Sequence, residues 1–327
     1  LDLTRAEAMS DLVGARSQRA AQLAMAGLDG GIQKKMVVLR ERLLDQLSEL
    51  EARVDFEEDL PPLNAEALLQ ELQAVRQELL TLVADGERGS VVRHGLRVAL
   101  VGRPNVGKSS LLNLLSRRER AIVTDLPGTT RDLLESEIVL DGVPITLLDT
   151  AGIRATSDAV EQLGIARSRD ALASADLVLL LFDLAQGWSD DDQALFALIP
   201  EGVSCLRVGN KADLHLEADG DAASVADVRL SAVTGDGEPT LVRAVLERCG
   251  ALSEQPLLLA LNQRQSDLAA TAAEALARSE QVAADGLPWD FWTIDLRQAI
   301  RSLGEITGEQ LTESVLDRIF SRFCIGK

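Results

Sequence analysis

Aromatic residues make up only 3% of this 327-residue chain, and tyrosine is absent. Leu and Ala dominate instead, a composition that leans helical. Basic residues are also short: 33 Lys and Arg face 52 Asp and Glu, for a net charge of −19. That argues against a large basic surface built for phosphate backbones, though not against a nucleic acid held mainly by a partner. The three cysteines, Cys205, Cys249 and Cys324, are odd in number and form no CxxC pair. Neither a disulfide framework nor a structural zinc site is expected, and a reducing intracellular setting fits best. With only His94 and His215, a histidine-rich metal centre is not expected either. The most apolar run, Leu177 to Phe182, falls far short of the ~20 residues of a membrane helix. No signal peptide opens the chain, and because the first residue is not Met, upstream sequence is expected.

The length of 327 residues suffices for two or three domains, and 46% hydrophobic residues allow a sizeable core. Residues 1–84 read as long helices. Ile32, Met36, Leu39, Leu43, Leu47 and Leu50 lie three or four apart and form one stripe. Pro61-Pro62 breaks the pattern, and Leu68, Leu72, Val75, Leu79 and Leu82 form a second stripe. Both read as bundle core. "ADGERGS" (Ala84 to Ser90) reads as a polar linker. From Leu96 the texture changes to short apolar runs, "LRVALV", "SEIVL", "ITLLD", "DLVLLLFD", "SCLRVGN" and "DVRLS", alternating with helical or loop segments as an α/β sheet requires. Asp141-Gly142 between two of these runs signals a tight hairpin. After Gly250 the helical texture returns over 256–283 and 294–322, with Leu311, Val315 and Ile319 four apart. The organisation predicted is an α/β domain over 91–250, with a mostly parallel sheet, inserted into an all-α bundle made of 1–90 and 251–327. No internal repeat is evident.

"GRPNVGKSS" (Gly102 to Ser110) fits G-x-x-x-x-G-K-[ST], between a strand run and the helical run "SSLLNLL". Its glycines let backbone N–H groups of residues such as Asn105, Val106 and Gly107 close on phosphate, and the following helix adds its positive end. In such a loop Lys108 reaches the β- and γ-phosphates and Ser109 supplies a Mg²⁺ ligand, with Ser110 next in the cradle. Three further motifs convert a nucleotide site into a guanine site. "DTAG" (Asp149, Thr150, Ala151, Gly152) places an aspartate near Mg²⁺ and an N–H at the γ-phosphate. In "NKAD", Asp213 can accept from guanine N1–H and the 2-amino group, while Asn210 and the Lys211 stem brace the base. Ser231-Ala232 can offer a backbone N–H to the guanine oxygen. Each short motif is weak alone; their order and strand-end placement together are strong. "GTTRD" (Gly128 to Asp132) falls where a switch loop belongs, and Thr130 is the candidate to close on Mg²⁺.

Many small GTPases place a Gln directly after DTAG to orient water. Here the position is Ile153, so another group must serve, and Arg154, Asp158 and Glu161 follow. Asn105, beside a switch loop with carbonyls, can hold a monovalent cation in place of an arginine finger; positioning plus cations suffices for phosphoryl transfer.

The order "GRPNVGKSS … GTTRD … DTAGIR … NKAD", the flanking helices, the opening "LDLTRAEAMSDLVGA" and the ending "FCIGK" closely resemble the MnmE (TrmE) family of tRNA-modification GTPases, over essentially the whole chain. The resemblance implies potassium-activated hydrolysis with G domains pairing across their nucleotide faces. It implies Asn105, Thr124, Thr129 and the Leu126 carbonyl as K⁺ ligands, Ser109 and Thr130 as Mg²⁺ ligands, and Glu161 as the residue organising the attacking water. It further implies a functional thiol at Cys324 near a folate one-carbon carrier (5-formyl- or methylene-tetrahydrofolate), with Lys327 at the carrier's carboxylates. The chemistry would be C5 modification of the tRNA wobble uridine, shared with the flavoprotein MnmG. The family's N-terminal folate-binding and dimerising domain has no counterpart in this sequence, and most folate contacts and the constitutive homodimer are expected there. No membrane partner is implied.

Other constellations read more plainly. Cys324 is no prenylation box, because Gly326 and Lys327 do not fit one. Arg117 to Arg120 and Lys34-Lys35 read as solvated basic clusters, Trp289 to Trp292 as packing, and "SDDDQ" (Ser189 to Gln193) as a capped acidic helix start. The residues alone leave open a ribosome-assembly GTPase or a nucleotide-gated scaffold.

Overall fold

The computed structural model describes residues 2–56, 62–117, 135–149, 172–214, 224–252 and 257–308. They form two units: Leu1–Ala15, Ala20–Ser90 and Pro256–Lys327 make one; Arg16–Arg19 and Val91–Gln255 make the other.

The first unit is helical. Its elements are α1 (Leu3–Val13), α3 (Gly31–Phe56), α8 (Gln263–Ala284), α9 (Trp289–Thr307) and most of α2 (Gln18–Leu28) and α4 (Ala65–His94). Apolar residues three and four apart lie on one face of a helix, so both stripes seen in the sequence turn inward. Every member of both is buried, in one cluster with Ala269, Ala272, Ala273 and Leu276 of α8 and Trp292, Leu296, Ala299 and Leu303 of α9. Small alanines on α8 permit close approach to α9, which also packs on α3. Each fully buried Leu stabilises by roughly 1.5–3 kcal/mol relative to an exposed one. Ion pairs flank this core: Arg42 reaches Glu71 at 2.5 Å and Glu78 at 2.6 Å, and Lys35 also pairs with Glu78. Arg264 of α8 grips Glu7 of α1 through two N–H groups at 2.6 and 3.0 Å, tying the two sequence-distant parts of the unit.

One expectation is corrected here. Residues 84–90 are not a linker but the continuation of α4. Gly86 has a packing reason: a Cβ there would lie 2.3 Å from Ser266 Oγ and 3.2 Å from the Leu261 carbonyl oxygen. The glycine allows close approach rather than a bend.

The second unit is α/β. Strands β1 (Leu96–Gly102), β2 (Glu135–Leu140), β3 (Val143–Asp149), β4 (Leu177–Asp183), β5 (Ser204–Asn210) and β6 (Val228–Arg229) form a six-stranded sheet ordered β2-β3-β1-β4-β5-β6. All neighbours are parallel except the β2–β3 hairpin. Its turn, Asp141 (φ 47°) and Gly142 (φ 84°), takes the positive-φ pair that a two-residue hairpin demands. β4 is buried along its whole length, as a central parallel strand is. Helices α5 (Lys108–Leu115), α6 (Asp190–Phe196) and α7 (Glu238–Arg248) complete this unit's described helices of seven or more residues. The two-residue β6 is secured by a fork of Arg207 Nε and Nη2 on Asp227, at 3.1 and 2.9 Å. Burial pushes the Asp227 carboxyl up, but Arg207 outweighs it and holds it below its ordinary value.

No helix among the described residues is long and apolar enough to cross a membrane. Chain order makes β1 the switch point of this fold, with β3 on one side and β4 on the other. In open parallel sheets a ligand crevice lies off the carboxyl ends of the strands at such a point.

Candidate guanine-nucleotide site

The sheet register gathers the motifs. Gly102 at the end of β1 lies opposite Leu181 of β4. Asp149 at the end of β3 lies two residues beyond the level of Val98, opposite Leu100 of β1. Asn210 at the end of β5 lies opposite Asp183 at the end of β4. Neighbouring parallel strands stand about 4.8 Å apart, so these ends share one edge of the sheet.

The loop leaving β1 turns back at Asn105, whose φ of 64° is a left-handed conformation that Asn tolerates better than most residues. Asn105 is exposed while Val106 is buried beneath it. Gly107 (φ 101°) precedes α5, and a Cβ there would lie 2.1 Å from Asn210 Nδ2. No other residue fits that approach. Lys108 Nζ arches back to the carbonyl oxygens of Gly102 (2.6 Å) and Arg103 (2.9 Å), which places the ammonium over the loop. Ser109 and Ser110 are exposed in the first turn of α5, where backbone N–H groups lack helical partners and the dipole is positive.

Asn210 is 2% exposed and joins three motifs. Its Nδ2 donates to the Val106 carbonyl at 2.7 Å, and its Oδ1 accepts from the Ala232 N–H at 2.9 Å. One buried amide thus fixes the loop after β1 to the loops after β5 and β6. Lys211 follows with φ 63° and pairs with Asp183 Oδ2 at 2.8 Å. Asp213 is exposed in the single turn Ala212–Leu214, its acceptor oxygens accessible to a ligand. Ser231 is buried; its N–H donates to the Asp236 carbonyl at 2.9 Å and its Oγ accepts from Thr234 N at 3.2 Å. Sequence reasoning expected the Ser231-Ala232 pair to hold out an N–H, whereas both N–H groups are engaged inside the protein.

Asn105, Val106, Gly107, Lys108, Ser109, Ser110, the Asp149 backbone, Asn210, Lys211, Asp213, Ser231 and Ala232 are therefore at or near one sheet edge. Thr124, Leu126, Thr129, Thr130, Thr150, Ala151, Gly152, Glu161, Cys324 and Lys327 lie outside the described residues. Burial pushes the Cys205 and Cys249 thiols up to about 11, which makes both poor nucleophiles at neutral pH.

Sequence reasoning missed two carboxylates, Asp183 and Asp192, that hold the motif loops. Asp183 was visible as the polar end of the apolar run "LVLLLFD"; Asp192 was read only as part of a helix start.

These features fit a nucleotide on their own terms: a loop that only glycine can close, a lysine folded back over it, and an exposed carboxylate on the neighbouring loop after β5. The family described as the MnmE helical domain matches residues 3–324. A tRNA modification GTPase MnmE from Synechococcus sp. (strain CC9311) is 94% identical over all of this chain and 72% of its own length. The one from Synechococcus sp. (strain WH7803) is 78% identical over the same shares. Among solved structures, the G domain of the T. maritima FeoB iron transporter is 29% identical, covering 47% of this chain and 98% of its own, with a TM-score of 0.36.

Proposed function

The chain belongs to the MnmE family of tRNA modification GTPases, and from that membership we propose how its residues bind guanine nucleotide and hydrolyse GTP in wobble-uridine modification. The observation that carries the reading is the buried Asn210 amide, which bonds the phosphate loop through Val106 and the Ser231-Ala232 loop through Ala232. A single residue with that reach makes sense where one ligand spans both loops.

With nucleotide in place, Lys108 exchanges its two loop carbonyls for β- and γ-phosphate oxygens. N–H groups of Asn105 to Ser110 surround the phosphates, and those of Thr150 to Gly152 close from the β3 side. Asp213 accepts from the guanine N1–H and 2-amino groups, an arrangement adenine cannot meet. Ser109 and Thr130 would hold Mg²⁺ with Asp149 near it, and Asn105, Thr124, Thr129 and the Leu126 carbonyl would hold K⁺. These cations neutralise charge that builds on the transferred phosphoryl group. The exposed, left-handed Asn105 suits the K⁺ role, because its amide is open to solvent while the neighbouring Val106 is buried. Glu161 orients the attacking water, since Ile153 occupies the position where many GTPases carry Gln.

In the whole protein the GTPase cycle serves C5 modification of the tRNA wobble uridine with the flavoprotein MnmG. Cys324 would supply the thiol and Lys327 the cation for a folate one-carbon carrier, and the molecule works as a homodimer with transient pairing of G domains. Three cysteines with no CxxC pair suit the cytoplasm.

Cation dependence tests the reading. GTP turnover rises strongly in KCl over NaCl, and Asn105→Ala removes that difference; equal turnover of Asn105→Ala and the parent in both salts contradicts the K⁺ assignment. Glu161→Ala keeps GTP affinity and loses at least ~100-fold in kcat; lost affinity with unchanged turnover contradicts the Glu161 role.

A further inference from the structure

The connection from β4 to α6 carries a carboxylate near each end, Asp183 and Asp192, 3% and 0% exposed. Burying a carboxylate is unfavourable unless it is paired and hydrogen-bonded, so each needs a reason. Asp192 closes the α6 capping box: its Oδ2 accepts from Ser189 N (3.0 Å) and Ser189 Oγ (2.7 Å). Capping uses one oxygen only. The other, Oδ1, accepts from Arg103 Nε at 2.9 Å, and Arg103 is the second residue of the phosphate loop. Arg103 Nη2 is buried with no hydrogen-bond partner among the described residues, so the Asp192 carboxylate is what compensates the buried guanidinium there. Asp183 Oδ1 accepts from Ala185 N (2.9 Å), and its Oδ2 takes the Lys211 ammonium of the base loop (2.8 Å). Leu184 N donates to the Asn210 carbonyl at 3.0 Å. Between the two carboxylates, the Trp188 ring meets Phe182 edge-on at 5.2 Å and Phe196 at 6.4 Å, which fixes the segment on β4 and α6.

We propose that Asp183 and Asp192 are positioning residues for the nucleotide: Asp192 sets the phosphate loop through Arg103, and Asp183 sets the base loop through Lys211. The segment between them is then a brace that fixes the phosphate and base ends of the pocket together. The proposal rests on the guanine-nucleotide reading of this pocket and adds residues outside its four motifs. The acidic run at 189–193 thereby gains a role beyond capping, because a cap alone gives no reason for Arg103 to reach it.

Isosteric variants of the full chain separate the two ends. GDP and GMP compete against a fluorescent GDP analogue, and GTP turnover is followed alongside. Asp192→Asn weakens GDP and raises KM for GTP by about tenfold or more while leaving GMP unchanged, because the loss lies at the outer phosphates. Asp183→Asn weakens GMP and GDP by the same factor. Arg103→Gln breaks the first pair from its other side with the capping box intact, so it decides the matter even if Asp192→Asn does not fold. The double variants Asp192→Asn/Arg103→Gln and Asp183→Asn/Lys211→Met bind no worse than the weaker single variant of each pair. Parent-like GDP affinity in folded Arg103→Gln, equal weakening of GMP and GDP by Asp192→Asn, or additive losses overturn the brace. A parent chain that binds no GDP would instead overturn the nucleotide reading, and the brace with it.

Discussion

The helical unit and the α/β unit solve opposite problems. In the first, stability comes from apolar stripes that meet in one cluster, and its ion pairs flank that cluster. In the second, the decisive groups at the sheet edge are polar and buried: Asn210, Asp183, Asp192 and Ser231. Apolar packing tolerates volume-conserving exchange, whereas a buried amide or carboxylate must keep its own partner. The difference teaches where substitution harms folding and where it harms the nucleotide.

Four substitutions break or sharpen that contrast. The largest effect is expected of Leu43→Ala, deep in the helical cluster: a loss of roughly 2–5 kcal/mol in denaturant unfolding, with GTP affinity per folded molecule unchanged. Lys108→Ala does the reverse. Turnover falls by roughly 100- to 1,000-fold in a phosphate-release assay, and the unfolding midpoint barely moves. Gly86→Ala is a test of sign. A flexible linker would gain about 0.5–1 kcal/mol from alanine, but a Cβ held 3.2 Å from the Leu261 carbonyl oxygen, and 2.3 Å from a Ser266 Oγ that must rotate away, predicts a loss of about 1–3 kcal/mol in the same unfolding assay. The smallest effect concerns acid. Lys35, then Arg42, hold the Glu78 carboxyl below its usual 4.5 despite opposing burial. A folded value below the unfolded one stabilises above pH 4.5, and that share is lost as pH falls through the folded value. Glu78→Gln therefore loses a share of well under ~1 kcal/mol near neutrality and has a shallower acid limb in unfolding measured against pH.

What could be read from the sequence follows the same divide. The stripes Ile32 to Leu50 and Leu68 to Leu82 were legible because helical periodicity repeats over several turns. The Asp141-Gly142 hairpin was legible because few residues accept its backbone. Residues 84–90 misled, because Gly86 and its polar neighbours look like a linker until Ser266, 180 positions away in sequence, is seen packed against the glycine. The phosphate loop and NKAD were legible as motifs, since close backbone approach to phosphate leaves little freedom in residue type. Their supports were not: Arg103–Asp192 spans 89 positions and Lys211–Asp183 spans 28, and neither has a spacing that sequence alone can interpret. The engaged N–H groups of Ser231 and Ala232 were hidden for the same reason, because their acceptors are fixed by the folded loop.

The proposed guanine specificity rests on Asp213. Competition binding of GTP and XTP to the parent chain and to Asp213→Asn tests it most directly. The account predicts strong preference for GTP in the parent and reversal toward XTP in the variant, because an amide N–H faces the xanthine 2-oxo group where the carboxylate faced an amine. Unchanged GTP preference in folded Asp213→Asn would contradict it.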